Sequence, residues 1–317
     1  MDQNSAAIII LCSHLCAGEN IKPFEPAEWS KLADRLSECG LQPCGLLSFT
    51  NDDFEGKLDF NKSDIQRISR LIGRSGSIAF EIKKYASMGI NIMTKADNFY
   101  PEILKEKLGR SCPPIFYYAG NPEIANKKFV GFVGSRNANA DDEKFTALTA
   151  AKTNANGFAV VSGGAKGIDS ISSAVSIING SFCVEYIADS MINKIKSKNT
   201  ADAIINNRLL ILSAANPDTG FNTGIAMMRN KFIYAQSNGT VVIKSDYNTG
   251  GTWNGAVNNL NKQWCVTFCR NNPEYKGNME LIKLGAVPID ETWDGDVLKY
   301  KINKPQQPEQ LSLFDEL

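Results

Sequence analysis

From residue 128 onward the chain alternates short, almost wholly apolar runs with stretches of helical length, and this rhythm constrains the fold more than any other feature. Apolar runs at 129–133, 158–162, 182–187, 209–212, 241–244 and 265–269 are separated by helical patterns at 142–154, 168–178, 225–235 and 253–260. Strands that are apolar at consecutive positions, not alternate ones, are buried on both faces. Joined by helices, they make a parallel sheet covered on both sides. Two further runs, 90–93 and 115–118, are bounded by turn residues and also read as strands. The expected class is α/β: an extended Rossmann-like, doubly wound, mostly parallel sheet. Ahead of it, residues 1–87 read as a small helical module. Within it, 26–38 opens on Pro26 and stops before Gly40, the usual asymmetry of helix ends. The stretch 63–72 starts with a Ser-x-x-Gln capping pattern and places Ile65, Ile68, Leu71 and Ile72 on one face; 80–88 runs into Gly89. The sheet domain is expected over 88–285 and an acidic C-terminal segment and tail over 286–317, in which 303–309 reads as an extended linker.

Composition excludes several classes. The 317 residues are 43% hydrophobic and 21% charged, which argues against general disorder and for a sizeable core. The apolar stretch 6–11 is far shorter than the roughly 20 residues a membrane helix needs. It also lacks the basic flank of a signal peptide, so a cytoplasmic location is expected. Net charge is zero but unevenly spread. Residues 1–124 hold 14 Lys/Arg against 16 Asp/Glu, residues 125–270 hold 15 against 9, and residues 271–317 hold 5 against 9. A basic middle between acidic ends permits a polyanionic partner, with an even solvated scatter as the alternative. The eight cysteines form no C-x-x-C pair, and the one histidine, His14, sits between Cys12 and Cys16. Reduced structural thiols are expected, with no zinc site, and His-dependent nucleophilic mechanisms are close to excluded.

In doubly wound sheets ligands bind at the carboxyl ends of the strands. There the chain carries Gly134-Ser135-Arg136 after one strand and Ser162-Gly163-Gly164-Ala165-Lys166-Gly167-Ile168-Asp169 after the next. Glycines there allow close backbone approach to a ligand, and N–H groups at the following helix start hold phosphate; the alternative is glycine used only for packing. The dinucleotide fingerprint is absent. Arg229-Asn230-Lys231 and Gly250-Gly251-Thr252 belong to the same layer. For Arg229 and Lys231 the alternative is a solvated helix face. Two residues apart, they point to different faces, with Arg229 expected toward the ligand. Phe221, Tyr247 and Trp253 have the chemistry to stack on bases or to edge the core.

These motifs make the chain resemble the DNA-processing protein A (DprA/Smf) family over about residues 90–270. The family's G-S-R is matched by Gly134-Ser135-Arg136 and its S-G-x-A-x-G-I-D by Ser162 to Asp169. Its R-N-R/K-I-I helix is similar to Arg229-Asn230-Lys231-Phe232-Ile233, and its S-G-S/T turn to Gly250-Gly251-Thr252. Upstream, Asp97-Asn98-Phe99-Tyr100-Pro101, Cys112-Pro113-Pro114-Ile115 and Ala119-Gly120-Asn121 resemble the family's D-x-x-Y-P, P-P and G-N segments. The resemblance implies sequence-independent binding of single-stranded DNA without catalysis or cofactor. It also implies a homodimer, support of recombination and transformation, and a RecA-type recombinase as partner. The chain departs from the family where Ser172-Ser173 replace A-H, where Gly164-Ala165 replace L-A, and where 271–317 offers no winged-helix module. These departures mark a divergent member and bear on transformation more than on DNA binding.

The tail carries its own signal. Gln310-Leu311-Ser312-Leu313-Phe314 matches the peptide by which bacterial DNA enzymes grip the sliding clamp, with Leu313 and Phe314 as apolar anchors; the alternative is a tail folded onto its own core. Two other functions stay open. A nucleotide-sugar hydrolase of the LOG group shares this fold class, but residues 250–256 lack that group's catalytic glutamate. A nucleotide-sensing module of a defence system would use the same phosphate rim.

Overall fold

The computed structural model describes residues 2–18 and 21–302; the tail peptide 310–314 and the linker 303–309 lie outside the described residues. Five helices open the chain: α1 (Gln3–Cys12), α2 (Pro26–Glu38), α3 (Asn51–Leu58), α4 (Lys62–Gly73) and α5 (Ser75–Ser87). The stretch expected to begin at Ser63 begins earlier. Asn61 is the cap, and its side chain accepts from the N–H groups of Ser63 and Asp64, so Ser63 is inside the first turn. Helix α5 likewise begins at Ser75, five residues before the expected start at Phe80, whose ring is exposed. The apolar stretch 6–11 is the body of α1, a mostly buried helix capped by Asp2.

The rest is one sheet with its helices. In chain order come β1 (Asn91–Thr94), α6 (Glu102–Leu108), β2 (Ile115–Gly120), β3 (Phe129–Val133), α7 (Ala140–Ala155), β4 (Ala159–Ser162), α8 (Ile168–Ile178) and β5 (Cys183–Tyr186). There follow α9 (Met191–Lys194), α10 (Lys198–Ile205), β6 (Leu209–Ser213), α11 (Thr223–Gln236), β7 (Gly239–Val242), α12 (Gly250–Lys262), β8 (Val266–Arg270), α13 (Lys276–Lys283) and β9 (Val287–Ile289). The strand order is β1-β2-β6-β5-β4-β3-β7-β8-β9. Only β1–β2 and β2–β6 are antiparallel; the remaining pairs are parallel. The sheet passes residue 285, the boundary drawn from sequence, because Val287 and Ile289 pair with Phe268 and Arg270. Beyond 270 the apolar runs are too short to stand out, and pairing to an existing edge supplies what they lack.

The fully apolar strands divide their side chains between two cores. Val130 and Phe132 of β3 face the side that also takes α1 to α5, while Phe129 and Val133 face the other. On that second side Tyr100, Phe116, Tyr186 and Phe232 form a ring cluster with centroids 5.3–5.7 Å apart. The helical module is tied to the sheet by polar groups too. Ser5 Oγ donates to Asp97 at 3.0 Å, and buried Arg74 donates to the carbonyls of Ile10 and Leu15 at the end of α1. Tyr100 donates from inside the core to Pro113 O at 2.5 Å. The Asp97-x-x-Tyr100-Pro101 segment is therefore architectural. No helix among the described residues is long and apolar enough to cross a membrane.

Candidate functional site

The chain leaves central β3 in one direction through β4, β5 and β6, and in the other through β7, β8 and β9. Between β3 and β7 the connections diverge, and a crevice opens above the carboxyl ends of both strands. One cleft of about 570 Å³ lies there, lined by Gly134, Ser135, Arg136, Asp169, Arg229, Asn230, Gly250, Gly251 and Thr252. A second, of about 540 Å³, lies over β4 and β5 and takes in Gly163, Gly164, Lys166, Ser190, Asn193 and Lys194. Arg136, Ala165, Phe221 and Arg229 line both, so the two clefts are halves of one groove. At the divide, exposed Arg136 rests on the ring of Phe221, 5.0 Å from its centroid, and that ring is 51% exposed. Lys166 stands exposed at the lip of the second cleft.

The glycines of the two turns make room mainly for the protein itself. A Cβ at Gly134 would stand 2.6 Å from Ile168, and one at Gly164 2.8 Å from Glu185 Oε2; at Gly163 it would fall inside the guanidinium of Arg229. Gly167, at φ +79°, lies against the carbonyls of Ser135 and Arg136 and so joins the two turns. The idea that these glycines bring backbone against a ligand is corrected to that extent. Gly250 is different: it too has positive φ, and nothing lies near its missing side chain.

Anion-binding capacity is likewise redistributed. Helix α7, six residues after Gly134, carries three carboxylates in its first turn, Asp141, Asp142 and Glu143, which disfavour an anion there. Asn139 and Asp142 cap it reciprocally, with bonds of 2.8 and 3.0 Å. At α8 the turn's Ala165 N–H is taken by Asp169 at 3.3 Å. Helix α12 begins at Gly250 with no side-chain cap and no acidic residue in its first turn, so its N–H groups open onto the first cleft.

Arg229 is not on a solvated face. It is 8% exposed, and its Nε has no hydrogen-bond partner among the described residues. Burial lowers its pKa, opposed by Asp169. Tyr234, on the same helix and lining the first cleft, is buried with its hydroxyl likewise unpartnered. Lys231 points elsewhere: its Nζ donates to Ser111 O at 3.2 Å, outside both clefts. Asn230 donates to Gly251 O at 3.1 Å and ties α11 to the start of α12. Ser162 is buried beneath its turn against Ser173, which also takes the Cys183 thiol; the serines at 172–173 thus fill interior positions. Trp253 is buried, and Tyr247, edge-on to it, is exposed but lines neither cleft, which leaves Phe221 as the open aromatic face of the groove among the described residues.

Residues beyond those singled out in the sequence complete the site. Fully buried Asp142 binds Lys244 at 3.1 Å, Arg270 at 3.0 Å and the Tyr275 hydroxyl at 2.7 Å. Burial raises its pKa, and the bonds from Tyr275, Asn139 and Lys244 outweigh that, leaving it below the ordinary value. Lys244, just past β7, lines the first cleft and donates to Asn137 O, holding the 134–139 loop. Under the second cleft Lys194 pairs with buried Glu185 at 2.8 Å and donates to Gly164 O at 3.0 Å. The Asn139-x-x-Asp142 cap was readable locally; its three distant partners were not.

A family model described as DNA recombination-mediator protein A matches residues 91–298. The DNA processing protein DprA of Bacillus subtilis (strain 168) is 27% identical over 210 residues, 65% of this chain and 70% of that protein. DprA from Streptococcus pneumoniae has a similar fold, with a TM-score of 0.57 at 19% identity, covering 84% of this chain and 95% of that one. DprA from Helicobacter pylori, solved for its single-stranded DNA binding mode, gives 0.52 at 22% identity, covering 63% and 90%.

Proposed function

The chain belongs to the DNA recombination-mediator protein A family, and from that membership we propose that its crevice binds single-stranded DNA without regard to sequence, in support of recombination. The observation that carries this reading is the continuous groove. Two clefts meet at Arg136 and Phe221, with Lys166 on one lip and the uncapped start of α12 on the other. A groove with cationic groups, open backbone N–H groups and one exposed ring suits a run of phosphates with a base laid on the aromatic face. Binding without catalysis fits the same site. Its buried carboxylates, Asp142, Asp169 and Glu185, are engaged with cations or turn N–H groups, and the α12 turn has no carboxylate where LOG-type hydrolases carry one. Self-association, a RecA-type recombinase partner and a sliding-clamp partner for the tail are further parts of this proposal. They rest on the family resemblance and on the tail's sequence.

The test is titration of oligo-dT against salt. Arg136→Ala and Lys166→Ala should each weaken binding on every strand sequence alike and lower the log–log salt slope by about one unit. Parent-like binding by both variants at several salt concentrations would remove the groove assignment. Calorimetry with thymidine monophosphate separates a strand site from a mononucleotide site. The two basic residues of α11 should differ: Arg229→Ala should lose about tenfold or more in affinity, as for a charged hydrogen bond of 1.5–3 kcal/mol. Lys231→Ala should stay within about twofold, since it spends its charge outside the groove. Equal losses would contradict the geometry.

A further inference from the structure

Beneath the wall between the two clefts lies a buried group of charges. Arg229 of α11 leans over Gly163, in space that any side chain there would fill. Asp169, in the first turn of α8 and 7% exposed, lies within its electrostatic reach and accepts from Ala165 N–H. From β5 Glu185 faces the same turn and is paired by Lys194 of α9. Arg136 repels Arg229 from the β3 loop. The Cys183 thiol and the Tyr234 hydroxyl complete the surroundings, both pushed up by burial and so neutral. Lys166, in the turn itself, points to solvent. Glu185 thus has a paired cation, whereas Asp169 makes no ion pair among the described residues and feels Arg229, which lines both clefts, only through space.

We propose that Asp169 is a positioning residue that competes with the strand's phosphate for Arg229, so that the crevice takes up a proton as it takes up DNA and binds more tightly in mildly acidic solution. This rests on the single-stranded DNA reading above and adds a regulation to it. The physical basis is that one guanidinium cannot neutralise two anions in a desolvated wall as well as it neutralises one. Burial already raises the Asp169 carboxyl to about 6, against the opposing pull of Arg229. A phosphate drawn to Arg229 adds a second negative charge, weakens that pull and raises the carboxyl further. Protonation is then favoured in the complex over the free protein, so affinity rises as pH falls through the window between the two values and is flat on either side. Each unit of separation is worth about tenfold in affinity.

The measurement is anisotropy of labelled oligo-dT from pH 5.5 to 8.0 at constant ionic strength. The parent should bind about tenfold more tightly at the acidic end, for one unit of separation. Asp169→Asn, which keeps the shape and removes the charge, should bind at the tight limit throughout with a flat profile. Calorimetry of the unaltered protein near pH 6, in two buffers of different ionisation enthalpy, should count a fractional proton uptake on binding. That measurement decides the matter if the variant fails to fold. His14, in the helical module, lines neither cleft. A flat parent profile, zero proton uptake, or a pH slope unchanged in Asp169→Asn overturns the inference and leaves DNA binding standing. No binding at any pH overturns both.

Discussion

Replacing Asp142 by alanine should destabilise the fold by about 3–5 kcal/mol, the cost of removing one partner from a buried ion cluster. The carboxylate is wholly buried and serves two cations at once, Lys244 just past β7 and Arg270 from β8, while closing the cap of α7. Alanine leaves Arg270 inside the protein with only the exposed carboxylate of Asp141, and it opens the first turn of α7. Urea denaturation at pH 7 should show the midpoint falling while the m-value holds. Asp142→Asn, which keeps an acceptor for Asn139 N–H, should lose less. The pH dependence has a definite sign. The folded carboxyl lies below its ordinary value, so its contribution is complete at neutral pH and disappears as pH falls through the acid range. The parent and the alanine variant should therefore converge in acid. A constant difference down to the bottom of that range would mean that the cluster is not held by charge.

Gly167→Ala should cost about 3 kcal/mol or more, from a conformation worth 1–2 kcal/mol to an L-residue plus a contact that backbone must yield to relieve. Its φ of +79° and ψ of −131° lie where a Cβ is poorly tolerated, and that Cβ would stand 2.5 Å from Ser135 O and 2.8 Å from Arg136 O. Moving either carbonyl moves the turn that carries Arg136, so whatever folds should also lose oligonucleotide affinity. Gly180 supplies the comparison. It too has positive φ, but nothing lies within 4 Å of its missing side chain, so Gly180→Ala should cost only about 1 kcal/mol and leave binding intact. Similar losses at the two positions would show that backbone strain alone, and not the contact between turns, sets the requirement for glycine at 167.

By itself the sequence determined the parallel sheet, because consecutive apolar residues such as 129–133 and 209–212 admit few other uses. It also placed the glycine-rich turns at the strand ends, since Gly134-Ser135-Arg136 and the 162–169 turn follow strands directly. Local chemistry reaches that far: periodicity, caps and turn residues act within a few positions. The roles inside the layer were decided only by tertiary structure. Asn139 and Asp142 close one helix start, while α12, whose N-cap Thr249 makes no side-chain capping bond, is left open. Gly163 makes room not for a ligand but for Arg229, 66 residues away, and Lys231, two residues from Arg229, is turned out of the groove toward Ser111. Asp142 finds Lys244 and Arg270, over a hundred residues on, only because β7 and β8 end beside the start of α7. Charge and burial act through space, so whether a lysine meets a phosphate or a carbonyl depends on where the sheet's winding brings its strand ends together.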